Sequence, residues 1–322
     1  MFGLAALLLV NCGGSTVIAK GTIIAASGKS RVHRSASSAS AEIPSNPIHI
    51  KVTDSALPLG LEPDTCLEYR PTRGNNKRIV FVDPGHGGLD PGALGVTESG
   101  ATVYEKDITL AVGLDLLSIL RSQGYTVVMS RVTDTSVANL PASDFSNGVE
   151  TGNGARLETV ARVDCANAAH AQVLLGIYMD AFYDPTAVGC QTYWDNARSF
   201  SGENQTLATL VQNDLIGQFN AQGWDVYNRG TLPDDQIDPY ALTPQGQAYG
   251  HLLLLGPYSA GWMDNPSQMP GVISEPLFIT NPQEGTIAAS TAGQEAMARG
   301  FAQGAEQFFA QLSSPASSGS GG

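Results

Sequence analysis

A histidine in a glycine-rich loop is the residue of this chain whose surroundings are best suited to chemistry. Residues 79–82 read Ile-Val-Phe-Val, and Asp-Pro-Gly-His-Gly-Gly follows, with the histidine at position 86. An apolar run that stops at Pro and Gly is typical of a buried strand ending in a loop. The flanking glycines let the backbone approach a ligand closely. His86 could therefore act as a metal ligand or a base, although a lone histidine in such a turn is more often an ordinary turn residue.

Further motifs follow this loop in a fixed order. They are Asp-Pro-Gly-Ala at 90–93, Glu-Lys-Asp at 105–107, Arg131 with Asp134, Arg162 with Ala166 and Asn167, and Ser-Glu-Pro-Leu-Phe-Ile-Thr-Asn-Pro at 274–282. Over about residues 77 to 312, this series resembles the zinc-dependent N-acetylmuramoyl-L-alanine amidases of the Amidase_3 type, which are cell-wall hydrolases.

The resemblance implies metal-assisted hydrolysis of the amide bond between N-acetylmuramic acid and the L-alanine of the stem peptide. His86 and Glu105 would hold Zn²⁺, which lowers the pKa of bound water and polarises the amide carbonyl. Glu275 would be the catalytic residue, taking a proton from water and passing it to the leaving amine. The alternatives are that Glu105 only caps a helix and that Glu275 is a surface acid.

One position departs from the family pattern. Where the family carries its third zinc-binding histidine, in a strand ending Ser-Ile-His-Ala-Asn-Ala, this chain reads Gly-Ile-Tyr-Met-Asp-Ala at 176–181. Tyr178 occupies the histidine position. A phenol with a reference pKa of about 10 must lose its proton before it can bind a metal. Tyr178 is thus either a substitute third ligand or a residue that packs beside the site.

Two other residues could complete a three-ligand site. Asp180 lies two positions after Tyr178 and shares its face of the strand, so it could offer an oxygen ligand or be a polar residue at the strand end. His251 precedes the apolar run 252–255, which we predict to be a strand near that of Glu275. It could enter the site from there or lie at the exposed start of that strand.

Two classes of function follow from these residues. The first is an active peptidoglycan amidase with a rebuilt metal site. The second is an inactive module on the same fold that binds peptidoglycan or regulates cell-wall hydrolysis. The joint presence of His86, Glu105 and Glu275 favours the enzyme, and a hydrolase acting on another amide is a distant third.

Composition agrees with an exported enzyme. The chain has 322 residues, 42% of them hydrophobic, and a net charge of −13. This acidity disfavours binding to nucleic acid or to an anionic membrane through a basic surface. We therefore expect peptidoglycan as the partner and no nucleic acid.

The ends of the chain differ from its middle. Residues 1–12 resemble a signal segment of the lipoprotein type, which would place a lipid anchor on Cys12 and the protein at the cell surface or in the cell envelope. Residues 13–76 are predicted to be a linker and N-terminal extension, 77–312 the catalytic domain and 313–322 a disordered tail. With Cys12 lipidated, Cys66, Cys165 and Cys190 remain, so at least one thiol is free; a pair between Cys165 and Cys190 is conceivable.

The catalytic domain alternates predicted strands and helices, with strands at 78–82, 125–130, 173–179, 191–194, 252–255 and 272–277. Helices are predicted at 107–123, 156–170 and 204–222, followed by a final helix whose apolar stripe is Met297, Phe301, Ala305, Phe308 and Leu312. This order predicts an α/β fold with a mostly parallel, mixed central sheet and helices on both faces. Ligands of such sheets bind at the carboxyl ends of the strands, so we expect His86, Tyr178, Asp180 and Glu275 to meet at one edge.

Overall fold

The computed structural model describes residues 46–54, 56–57, 59–146, 149–238 and 244–313. The predicted signal segment with Cys12, the linker up to residue 45 and the tail from residue 314 lie outside these ranges. Within them, no helix has the length and apolar character needed to cross a membrane.

Among the residues that the structure describes, eight strands form one central sheet, and two small two-stranded ribbons flank it. In chain order the strands are β1 (Ile48–His49), β2 (Thr65–Tyr69), β3 (Ile79–Pro84), β4 (Leu94–Val96), β5 (Thr102–Tyr104), β6 (Thr126–Arg131), β7 (Phe145–Ser146), β8 (Val149–Glu150), β9 (Val173–Ile177), β10 (Cys190–Trp194), β11 (Asn228–Pro233) and β12 (Gly271–Glu275). The order across the central sheet is β1-β2-β6-β3-β9-β12-β10-β11. Strands β6, β3, β9 and β12 are parallel, whereas β2 and β10 run antiparallel to them. The predicted mixed, mostly parallel sheet is confirmed.

Helices cover both faces of this sheet. They are α1 (Glu105–Ser122), α2 (Gly152–Ala168), α3 (Ser201–Ala221), α4 (Pro244–Tyr249), α5 (Pro282–Ala289) and α6 (Thr291–Ser313). Because successive side chains of a strand point to opposite faces, Val80 and Val82 of β3 pack in the core cluster that contains residues of α1, α3 and α6. Phe81 packs in the second cluster, with residues of α2 and the leucines 252–255.

The final helix was predicted to bury one apolar stripe. Met297, Phe301, Ala305 and Phe308 are indeed buried in the core formed with α1 and α3. Leu312 is 50% exposed because it lies in the last turn of α6, at the end of the packed region.

The apolar run 252–255 is not a strand, so that prediction was wrong. The backbone N–H groups of Leu255 and Gly256 both donate to the carbonyl of Leu252, which closes a turn. All four leucines are buried against the α2 side of the sheet. A short apolar run can satisfy its need for burial in a turn as well as in a strand, and periodicity does not distinguish the two.

The sheet also extends N-terminal to residue 77. β2 pairs with β6, and β1 pairs with β2, so the described part of the N-terminal extension belongs to the same folded unit. A disulfide joins Cys66 of β2 to Cys165 of α2, and Cys190 is a buried free thiol. One free thiol was expected, but Cys165 pairs with Cys66 and not with Cys190, because β2 lies over α2 on that face of the sheet.

This disulfide should contribute strongly to stability. It closes a loop with a sequence separation of 99 residues, and a loop of that length corresponds to about 4.7 kcal/mol in the chain-entropy model, with about 2–5 kcal/mol typical for native disulfides. We expect Cys66→Ala/Cys165→Ala to lower the free energy of unfolding, measured by denaturant titration, by an amount in that range. In the presence of reductant, the free energy of unfolding of the unchanged chain should fall by the same amount. Reductant should not lower that of the double variant any further. Titration of more than one free thiol among positions 66, 165 and 190 in the denatured, non-reduced protein would contradict the pairing.

Candidate active site

The carboxyl ends of three parallel strands lie side by side and carry the predicted site. Pro84 of β3 and Ser274 of β12 both pair with Ile177 of β9. The loop with His86 leaves β3, residues 178–180 follow β9, and Glu275 ends β12. The structure therefore brings these segments together at one edge of the sheet.

His86 lies between two carboxylates. Its Nδ1 is 2.6 Å from Oδ2 of Asp90, and its Nε2 is 3.0 Å from Oε1 of Glu105. Nε2 is buried and has no hydrogen-bond partner of good geometry within the described part of the chain. Asp90 was not singled out from the sequence as a site residue; its position in the Asp-Pro-Gly-Ala motif was the available signal. Its contact with Nδ1 fixes the ring orientation and leaves Nε2 to face Glu105.

Glu105 is the first residue of α1, yet it does not cap that helix. Its side chain is 1% exposed and accepts backbone N–H groups from Ala93, at 2.8 Å, and from Met179, at 2.8 Å. These bonds connect the helix start to the Asp-Pro-Gly-Ala turn and to the end of β9. A Cβ atom at Gly92 would lie 2.7 Å from both Oε2 of Glu105 and Cδ2 of His86, so only glycine fits there.

The electrostatics around His86 favour a positive charge. Burial alone would lower the pKa of His86, but the carboxylates of Asp90 and Glu105 together raise it to about 10. Burial acts to raise the pKa of Asp90, but the charge of His86 and a hydrogen bond with it lower that pKa to about 2. An environment that stabilises a proton at Nε2 also suits a metal cation there. The unpartnered Nε2 beside Glu105 therefore fits two ligands of a metal site.

The side chain of Tyr178 contacts a buried ion pair formed by Asp83 and Arg162. Its hydroxyl donates to Oδ2 of Asp83 at 3.2 Å, and the other oxygen of Asp83 lies 2.6 Å from Nη1 of Arg162. The Tyr178 ring meets His86 edge to face, with centroids 5.4 Å apart. Its edge also fills the space beside Gly85, where a Cβ atom would lie 2.4 Å from Cε1 of the ring. Burial, reinforced by the charge of Asp83, raises the pKa of Tyr178 well above its ordinary value.

Glu275 is a buried carboxylate at the end of β12. It is 1% exposed, and neither carboxylate oxygen has a partner of good geometry among the described residues. Burial, together with the negative charges of Asp180 and Glu105, raises the pKa of Glu275 well above its ordinary value. Burial also raises the pKa of Asp180, with Glu105 adding to this and Arg229 opposing it. Such unsatisfied buried groups are rare in native proteins and are typical of functional sites.

The remaining motif residues hold the loop in place. Arg131 donates to the carbonyl oxygens of Pro84 and Gly85 at 3.0 and 2.9 Å. Asp134 accepts from the backbone N–H of Gly88 at 2.8 Å and forms an ion pair with Lys106, also at 2.8 Å. These contacts position the backbone of the His86 loop without entering the site.

His251 is not part of this arrangement. It contacts Asp195 and Asp234, and Asp195 directly follows β10. Because β10 is antiparallel to β12 and Gln191 pairs with Glu275, the end of β10 lies at the opposite edge of the sheet. The idea that His251 completes the His86 site was wrong, because it relied on a strand at 252–255 that the structure lacks.

Comparison with known proteins agrees with this geometry. Residues 80–307 match the family model of Amidase_3, N-acetylmuramoyl-L-alanine amidase. The chain is 26% identical over 261 residues to the N-acetylmuramoyl-L-alanine amidase AmiA of Salmonella typhimurium, which covers 73% of this chain and 77% of that protein. It is 26% identical over 255 residues, 74% of its length, to AmiC of Neisseria meningitidis, but spans only 55% of that longer relative.

Solved structures show the same fold. The N-acetylmuramoyl-L-alanine amidase from Clostridium difficile 630 superposes with a TM-score of 0.53 at 24% identity, covering 73% of this chain and 98% of that one. The family match runs without interruption from β3 through the His86 loop and Glu275 to α6. The chain therefore belongs to the Amidase_3 family of N-acetylmuramoyl-L-alanine amidases, which are peptidoglycan hydrolases and generally depend on a metal.

Proposed function

We propose that this chain hydrolyses the amide bond between N-acetylmuramic acid and the L-alanine of the peptidoglycan stem peptide. The observation that carries this proposal is the buried, unpartnered carboxylate of Glu275 at the same sheet edge as the His86–Glu105 pair. A module that only binds peptidoglycan would have no need for an unsatisfied buried acid. The inactive-module alternative is therefore not favoured.

His86 and Glu105 are proposed to hold a zinc ion. Their facing atoms are 3.0 Å apart, near the separation of about 3.3 Å between neighbouring ligands of a tetrahedral zinc with bonds of about 2.0–2.1 Å. When bound, zinc would lower the pKa of its water and polarise the amide carbonyl. Asp90 keeps the imidazole in the orientation that leaves Nε2 available.

Glu275 is proposed to take the proton of the attacking water and to return it to the leaving amine. Its raised pKa suits a group that must both accept and donate a proton near neutral pH. Among the described residues, no hydrogen bond of good geometry reaches either carboxylate oxygen, although Tyr193 and Asp180 lie close enough to affect its pKa.

The third ligand position has two candidates, Tyr178 and Asp180. The hydroxyl of Tyr178 is already hydrogen-bonded to Asp83, and its raised pKa opposes the phenolate that a metal would need. Asp180 is a buried carboxylate whose pKa is affected by the charge of Glu105. The contact with Asp83 therefore favours Tyr178 as a residue that packs behind His86, and the carboxylate of Asp180, two residues beyond it at the end of β9, is the proposed third ligand.

An exported location, in the cell envelope, fits both the substrate and the Cys66–Cys165 disulfide, because disulfides persist in oxidising compartments. Lipid anchoring at Cys12 remains a proposal about residues outside the described ranges. Cells grown with a radioactive fatty acid should label the protein, and the label should be absent from the Cys12→Ala variant.

Replacement of Glu275 should separate activity from stability. We expect Glu275→Gln to lower amine release from insoluble peptidoglycan by about 10²–10⁴-fold, the usual contribution of a general base. In chelator, where no metal stabilises the carboxylate, the variant should unfold at a higher temperature. Burial destabilises the ionised carboxylate of Glu275 by about 1.4 kcal/mol for each unit by which it raises the pKa, and the glutamine side chain carries no such charge.

Glu158→Gln is the matched control. Glu158 is also buried, at 6% exposure, but it accepts backbone N–H groups from Val137 and Ala138 and is paired with Arg162. We expect the Glu158→Gln variant to lose at least about 1 kcal/mol in the free energy of unfolding, because its hydrogen bonds no longer involve a charged group. Unchanged amine release by Glu275→Gln would refute the proposed role of Glu275.

A pair of variants distinguishes the candidates for the third ligand. We expect Asp180→Asn to weaken zinc binding, measured by equilibrium dialysis, by more than the roughly 10–100-fold typical of residues that only support a ligand. Tyr178→Phe, which keeps the ring against His86, should stay within about tenfold of the unchanged protein. The opposite ranking of the two variants would show that Tyr178 is a metal ligand.

A further inference from the structure

A second group of metal-ligating side chains lies at the opposite edge of the sheet from Glu275. Asp195 follows β10, Asp234 begins a short 3-10 helix after β11, and His251 follows α4. One candidate ligand atom from each lies within 4.8 Å of the other two. The group therefore joins three chain segments that are distant in sequence.

The contacts within this group leave one buried oxygen unsatisfied. Nδ1 of His251 lies 2.9 Å from Oδ2 of Asp195 and 3.1 Å from Oδ1 of Asp234. A ring nitrogen carries one N–H at most, and the hydrogen bond of good geometry goes to Asp234. Oδ2 of Asp195, a residue with no exposed surface, has no partner of good geometry in the described part of the chain. A cation bound between the three side chains would give this oxygen a partner.

The surroundings orient both carboxylates toward this position. The second oxygen of Asp195 accepts the backbone N–H of Ala197 at 2.8 Å, and that of Asp234 accepts the N–H of Leu252 at 2.9 Å. Bonds of this kind hold metal ligands in place. The guanidinium of Arg198 is nearby but donates to the carbonyl oxygens of Leu255 and Gly256 and to Ser267. It does not satisfy Oδ2 of Asp195.

The donor set indicates the class of cation. With neutral His251, two carboxylates balance a divalent charge, and one imidazole nitrogen with two carboxylate oxygens leaves a fourth position for water in a tetrahedral site. An imidazole donor suits zinc better than magnesium or calcium, which prefer oxygen ligands only. The His251 side chain retains 19% exposure, which gives the cation access from solvent.

We propose that Asp195, Asp234 and His251 form a second zinc site, separate from that at His86, which joins the segments after β11 and α4 to the end of β10. This site makes no contact with Glu275 and takes no part in amide hydrolysis. Bound zinc would stabilise the folded chain by linkage, because the three ligands come together only after folding.

The test uses the full chain with the His86 site disabled by His86→Ala/Glu105→Gln. After removal of metal, we expect this double variant to bind about one zinc per chain by isothermal titration calorimetry. Zinc should also raise its thermal midpoint. Adding His251→Gln, whose amide can still donate to a carboxylate, should weaken zinc binding at least about tenfold and remove the thermal shift. Asp195→Asn provides a second variant if His251→Gln fails to fold.

Failure of this proposal is distinguishable from failure of the proposed amidase. If the folded His86→Ala/Glu105→Gln variant binds no zinc, or if its zinc survives both His251→Gln and Asp195→Asn, the second site does not exist. His251 then serves only as an ion-pair partner of the two carboxylates. Amine release by the otherwise unchanged chain carrying His251→Gln should match that of the parent protein, and loss of that release in the folded variant would contradict the separation of the two sites.

Discussion

The loop that presents His86 depends on one buried guanidinium, that of Arg162. It donates to Asp83 at 2.6 Å, to the carbonyl of Pro84 at 2.9 Å, to the carbonyl of His86 at 2.8 Å and to Glu158 at 2.7 Å. A single side chain of α2 thereby fixes the end of β3 and the backbone of the proposed ligand. Burial of such a group is costly unless every donor is paired. Its four hydrogen bonds make it a rigid support, and β3, α2 and the loop must assemble together for them to form.

The position of Tyr178 follows from the same support. Its hydroxyl adds a further bond to Asp83, and its ring occupies the space that Gly85 leaves open. A larger residue at position 85 would displace the ring, so Gly85 and Tyr178 form a matched pair. The departure from the family pattern is thus integrated into the core behind His86, and the proposed site assigns the metal ligands to His86, Glu105 and Asp180.

Both edges of the sheet carry buried carboxylates. At one edge these are Glu105, Asp180 and Glu275, and at the other Asp195 and Asp234. Buried acids without full compensation destabilise a protein, and a protein retains them where function requires them. With a net charge of −13, the chain also attracts cations. Cation binding at each edge offers the simplest physical compensation.

The sequence by itself determined strands β3, β6, β9, β10 and β12 and helices α1, α2, α3 and α6, because alternating apolar runs and glycine or proline breaks are local signals. It also singled out His86, Glu105 and Glu275 as candidate site residues, since short motifs with fixed spacing carry them. Only the tertiary structure decided how 252–255 is buried, that Cys66 pairs with Cys165, and that β1 and β2 join the sheet. Only the tertiary structure shows that Tyr178 contacts Asp83 and that Asp195, Asp234 and His251 form one cluster. These outcomes depend on contacts between segments far apart in the chain, and no local pattern encodes which distant partner a side chain will meet.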